Sequence, residues 1–148
     1  MAKIEGLRSG YAKVGDLVYF GRMLDKIRLS DQGQLPSGYN LGDQDPIFFD
    51  GVCCRFLGVQ YQQIVDQVRA DRSDEEILEW AYEAGKHPTA DEVKHWNSSM
   101  TKCGWRDHST ASLNRWKKQL GLEHRTDVQT FFDLYDADEG RDIPNACI

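Results

Sequence analysis

Apolar residues return at intervals of three and four along most of the chain. Phe20-Met23-Leu24-Ile27, Tyr61-Ile64-Val65-Val68, Ile77-Trp80-Ala81-Ala84 and Val128-Phe131-Phe132-Tyr135 each follow i, i+3, i+4, i+7, the spacing of one face of an amphipathic α-helix. Val93-Trp96-Met100 and Leu113-Trp116-Leu120 fit one face at i, i+3, i+7. No stretch gives a convincing alternation of apolar and polar residues. The pattern predicts an all-α fold, a single compact domain of about six helices around a central apolar helix.

Boundary residues support these helices independently. Ser73-x-x-Glu76 and Thr89-x-x-Glu92 are capping boxes, in which each side chain satisfies a backbone donor at a helix start. Gly58, Gly85, Gly104 and Gly121 fall at or just past expected helix ends. Residues 30–46, rich in Gly, Pro, Asn and Asp, form the one long connection, and residues 142–148 read as a loose tail.

The segment from Ile47 to Leu57 differs from the rest. Phe48, Phe49, Val52, Cys53, Cys54, Phe56 and Leu57 cover almost the whole helical circumference, and a helix that is apolar all round belongs in a core. It is therefore expected to be the most buried element, with Trp80, Trp96 and Phe131 or Phe132 around it. Its start is expected at Asp45-Pro46, or at Gly51 with Asp50 as the cap. Arg55, inside this apolar segment, should then pair with a carboxylate: Asp25, Asp136 or Asp138.

At 148 residues and a net charge of −6 the chain fits one domain, 1–148, and lacks the basic excess of a dedicated nucleic-acid binder. A mean hydropathy of −0.62 without a long uncharged apolar run excludes a membrane-spanning helix. Met1-Ala2-Lys3-Ile4-Glu5 lacks the apolar stretch of a secretory signal, so a cytoplasmic location is expected. Cys53, Cys54, Cys103 and Cys147 show no zinc-binding spacing with any of the 4 histidines, and they read as free thiols with no metal or other cofactor. The acidic run from Asp133 to Asp142 fails the EF-hand register, with Tyr135 and Ala137 at its first two ligand positions, which leaves at most weak Mg²⁺ or Ca²⁺ binding.

Charge is distributed unevenly. Residues 1–30 hold six basic and three acidic side chains, and residues 130–148 hold one basic and five acidic. The basic first helix and the acidic last one are expected to lie side by side. Arg22, Asp25, Lys26 and Arg28 stand opposite the first apolar stripe. They read either as a solvated face with Arg22–Asp25 and Asp25–Arg28 pairs at i, i+3, or as an anion site of guanidinium groups. Gly104-Trp105-Arg106-Asp107 lies between two expected helices. Its Trp105 either lines a binding site or plugs the core edge, with Arg106 and Asp107 capping helix ends.

At these residues the sequence resembles a bacterial family catalogued only as domain of unknown function number five thousand and sixty-nine. The stretches that carry the resemblance are Leu17-Val-Tyr-Phe-Gly-Arg-Met-Leu-Asp-Lys-Ile-Arg28, Tyr39-Asn-Leu-Gly42 and Phe49-Asp-Gly-Val-Cys-Cys-Arg-Phe-Leu-Gly-Val59. Asp74-Glu-Glu-Ile-Leu-Glu-Trp80, Trp96-Asn97, Gly104-Trp-Arg-Asp107 and Thr130-Phe-Phe-Asp-Leu-Tyr-Asp-Ala-Asp-Glu-Gly-Arg141 follow in order. The resemblance implies a compact bacterial intracellular protein and brings no activity, cofactor or catalytic residue. It also implies a polar network joining distant segments through Arg22, Asp25, Lys26, Arg28, Asn40, Asp50, Arg55, Arg106, Asp107 and Arg141.

Two functions follow as expectations. The first is a binding or interaction module with an arginine-bearing pocket for a small anionic ligand, with no nucleic-acid or membrane partner. Trp105 and Asp138 complete its candidate lining. The second is a small cofactor-independent enzyme with Asp25 or Asp50 as general base and Cys54 or His108 as a further participant.

Overall fold

The computed structural model describes residues 3–144. Its elements in chain order are a two-stranded hairpin, β1 (Lys13–Val14) and β2 (Leu17–Val18), followed by seven helices. These are α1 (Phe20–Asp31), α2 (Phe49–Leu57), α3 (Tyr61–Arg69), α4 (Asp74–Ala84), α5 (Ala90–Lys102), α6 (Thr110–Gln119) and α7 (Phe131–Asp138). The protein is mostly helical, as the periodicity predicts. The hairpin is the one departure, pairing Lys13 with Val18 and Val14 with Leu17. Two-residue strands are too short to display an alternation.

Both expected capping boxes are present, at Ser73/Glu76 and Thr89/Glu92, and a third joins Gln60 to Gln63. The last helix begins at Phe131 rather than at Val128. Val128 packs instead with Leu113 and Leu134 in a small cluster beneath α6, apart from the main core. The connection expected over 30–46 begins two residues later, because α1 runs to Asp31, and residues 32–46 carry no helix or strand. The expected loose tail is irregular over 142–144, and residues 145–148, with Cys147, lie outside the described residues.

The most buried helix is α1, not α2. Every residue from Phe20 to Ile27 is buried, including Arg22, Asp25 and Lys26. In α2 only Asp50, Gly51, Cys53, Cys54 and Leu57 are buried, while Phe49, Val52 and Phe56 pack at the core's edge. Phe56 stacks on Trp96 at 4.6 Å, and Phe49 meets Phe131 and Phe132 edge-on at 6.0 Å. The helix starts at Phe49 with Phe48 as its extended N-cap, so neither Asp45-Pro46 nor Asp50 caps it. Arg55 is exposed and donates to the Pro46 carbonyl at 2.8 Å, with no carboxylate partner among the described residues. Its aliphatic stem lets the guanidinium reach water from an apolar helix.

Helix α5 fastens the hairpin. Asn97 accepts from the Val18 amide at 3.0 Å and donates to the Asp16 carbonyl at 2.7 Å, while the Trp96 indole donates to the Val18 carbonyl at 3.1 Å. Backbone groups left open on β2 are thus met by side chains of a helix instead of a third strand. This junction sets one wall of the groove described below.

Candidate functional site

Three polar clusters are built on α1, two of them buried. In the first, the Lys26 ammonium donates to the Tyr19 hydroxyl at 2.9 Å and to the Asn40 carbonyl at 2.7 Å, and it lies 2.8 Å from Asp50 Oδ1. Asp50, fully buried, also accepts from the Tyr19 hydroxyl at 2.6 Å and from the Gly42 amide at 2.8 Å. Tyr19 holds a left-handed backbone, φ 73°, just ahead of α1. That conformation costs a non-glycine residue about 1–2 kcal/mol, offset here by a hydroxyl bridging two buried charges. Burial lowers the Lys26 pKa and the neighbouring Asp50 partly opposes it.

In the second cluster, Arg22 forks onto Glu139 at 2.9 and 2.7 Å and donates to the Arg8 carbonyl at 3.0 Å. Arg141 also donates to Glu139 Oε1 and to the Leu7 carbonyl, and Tyr39 donates to Glu139 Oε2 at 3.0 Å. Burial pulls the Arg22 guanidinium down, but Glu139 more than offsets it, so its pKa lies above the ordinary arginine value. Burial likewise pushes Glu139 up, and Arg22 and Arg141 hold it below the usual glutamate value. Asp136 is less well served. Its Oδ1 accepts no hydrogen bond, the nearest cation is Arg141 at 3.5 Å, and burial raises its pKa.

The third cluster reaches the surface. Asp25 accepts Arg8 Nε at 2.8 Å and stands 3.4 Å from Arg28, and Asp74 bridges the same two arginines at 2.9 and 2.7 Å.

These clusters bring together Arg22, Asp25, Lys26, Arg28, Asn40, Asp50 and Arg141 from the candidate set. The reading of α1 as a solvated charged face is overturned, and the Arg22–Asp25 pair is replaced by Arg22–Glu139. Arg55, Trp105, Arg106 and Asp107 stand elsewhere on the surface. Asp138 is half-buried, and burial raises its pKa too. Tyr19, Tyr39, Arg8 and Glu139 complete the clusters without having been singled out from the sequence; their roles depend on contacts up to 117 positions away, which local spacing does not register. Of the groups considered for acid–base or nucleophilic work, Asp50 is enclosed and His108 is exposed. The Cys54 thiol is pushed up to about 12 by burial.

The open concavity is elsewhere. A groove of about 920 Å³ runs between the hairpin, α4, α5 and the start of α7. Lys13, Lys94 and Lys102 line it and make no ion pair among the described residues. Its far wall holds Asp133, which accepts from the Tyr11 hydroxyl at 2.5 Å and from the Gln129 amide at 3.0 Å. Thr130 caps α7 through the Asp133 amide and meets Tyr11 at 3.0 Å. Burial and Asp133 together raise the Tyr11 pKa, so its hydroxyl stays protonated. Tyr82 and His87, stacked at 4.6 Å, also border the groove.

Among the described residues, no group of three or more His, Cys, Asp and Glu side chains is placed to hold a metal ion. A family model described as a domain of unknown function, DUF5069, matches residues 4–141. No curated protein matches the chain.

Proposed function

The chain belongs to the DUF5069 family, for which no activity is assigned, and from its own geometry we propose a binding module whose lysine-lined groove takes a small anionic ligand. The observation that carries this reading is the placement of Lys13, Lys94 and Lys102 on one groove without carboxylate partners, in a chain whose net charge is −6. A solvated cation on a concave wall is available to a ligand; a guanidinium already forked onto Glu139 is not. The arginine clusters are better read as the frame that fixes α1 against the chain's first and last segments.

The ligand is a small molecule rather than a nucleic-acid polymer, because the surface as a whole repels polyanions. A cytoplasmic location suits the chain, since Cys53, Cys54 and Cys103 are free thiols.

Calorimetric titration with inorganic pyrophosphate at low ionic strength tests the reading. The parent protein is expected to bind. The Lys13→Gln/Lys94→Gln/Lys102→Gln variant should bind at least tenfold more weakly at an unchanged melting temperature, because these exposed side chains do not hold the fold. Equal binding by both proteins would remove the groove as the site.

The alternative, a cofactor-independent enzyme with a buried aspartate as base, gains one supporting observation. Asp133 is buried, hydrogen-bonded to Tyr11 and on the groove wall. Asp25 and Asp50 have no such access. Under this alternative a groove ligand would be converted by the parent protein and not by Asp133→Asn; a ligand recovered unchanged counts against it.

A further inference from the structure

The loop after α5 is tied together by four hydrogen bonds through the Asp107 and Thr110 side chains. Asp107 accepts the Gly104 amide at 2.9 Å and the Ser109 amide at 2.8 Å, and Thr110 donates to the Gly104 carbonyl at 2.8 Å while accepting the Asp107 amide at 3.0 Å. Arg106 is held in the left-handed region at φ 51°. Strain of this kind persists only where the surroundings over-determine it. What the loop presents is Trp105, 46% exposed. The reading of Trp105 as a plug of the core edge is therefore overturned: the residue belongs to neither apolar cluster, and its half-exposed indole carries the Arg106 guanidinium over its ring at 5.1 Å.

Beside the indole lies a shallow depression of about 370 Å³, lined by Trp105, His95, Ser98, Ser99, Lys102 and Asp107 but not by Arg106. The cation over the ring is thus not part of the depression's lining. Ser98 and Lys102 line both this depression and the lysine groove. Both positions fall on one stripe of α5, Lys94-Ser98-Lys102 at i, i+4, i+8. A ligand crossing that ridge would have Trp105 on one side and, on the other, a groove with three lysines beside the carboxylates of Asp16 and Asp133.

We propose that Trp105 forms a stacking subsite for the base of a nucleotide whose phosphate chain lies along the lysine groove. The inference rests on the groove reading and specifies its ligand. Three cations suit a di- or triphosphate better than a single carboxylate, since each ammonium acts as one point charge. An exposed indole accepts any base because every base offers a π-face.

The test compares ATP with inorganic tripolyphosphate by calorimetry on the parent protein, Trp105→Ala and Trp105→Phe. ATP should bind about tenfold more tightly than tripolyphosphate, toward the low end of what one base–aromatic stack contributes. Trp105→Ala should remove that advantage and leave tripolyphosphate binding unchanged, while Trp105→Phe keeps most of it. ATP should also quench the intrinsic fluorescence of the parent, with the quenching lost in Trp105→Phe although the other three tryptophans remain. Tripolyphosphate binding with no preference for ATP would overturn the stacking subsite and leave the groove standing. Failure of both anions to bind would overturn both.

Discussion

Glu139 is the residue on which the interior depends most. It is 1% exposed and receives Arg22, Arg141 and Tyr39 together. Removing one member of a buried ionic group costs about 3–5 kcal/mol, because the partner stays buried without compensation. Glu139→Ala strands two guanidinium groups, whereas Arg22→Met leaves Glu139 with Arg141 and Tyr39. Urea unfolding should therefore show Glu139→Ala as the more damaging change, with its loss in that range; small and equal losses would mean that these charges are solvated. Asp136, one turn earlier, behaves in the opposite sense. Its folded pKa is raised above the ordinary 3.8, so the protonated form suits the fold and stability falls as pH rises through the raised value. Asp136→Asn is expected to raise the melting temperature at pH 7. That gain should shrink as pH falls toward 3.8 and below, where the parent carboxyl is neutral too.

At the scale of elements, the tightest junction is between the ends of α2 and α4. Gly58 closes α2 at φ 71°, and the Lys86 amide donates to the Leu57 carbonyl at 2.8 Å. A Cβ placed on Gly85 would sit 2.1 Å from the Leu57 carbonyl oxygen and 2.8 Å from that of Gly58. Both obstacles are backbone, which cannot swing aside. Gly85→Ala should cost roughly 1–3 kcal/mol or more, the usual range for overpacking, read as a lower urea midpoint at constant slope. An unchanged midpoint would show that the two helix ends can separate freely. The helices themselves were legible because most lay one apolar stripe on the core, and α4 and α5 announce their starts with capping boxes. Their burial order was not. A stripe rule sends the opposite face to water, and for Arg22, Asp25 and Lys26 that rule fails because carboxylates and carbonyls from other elements replace the solvent. Arg55 fails in reverse, as an arginine in an apolar helix whose stem is long enough to leave it. The groove was hidden for a related reason: Lys13, Lys94 and Asp133 are strangers in sequence, joined only when Asn97 and Trp96 fasten α5 to the hairpin.

For the molecule as a whole, the frame around α1 has a consequence for how the protein is made. Arg22 and Glu139 are 117 positions apart, and a ribosome adding ~5–20 residues per second needs roughly 6 to 23 s to supply the second after the first. Until then α1 carries a guanidinium toward an interior that cannot answer it, and Phe132 is missing from the core. The nascent chain is thus expected to remain open to proteases until α7 has cleared the exit tunnel. Ribosome-stalled chains ending at residue 130 should be digested rapidly, and chains with residues 131–141 outside the tunnel should resist. Protection already complete at residue 130 would show that α1 can bury its charges without the last helix. Folding of this protein on that account waits for its last helix, and chaperones that shield emerging chains should meet it for as long as residues 131–141 are inside the tunnel.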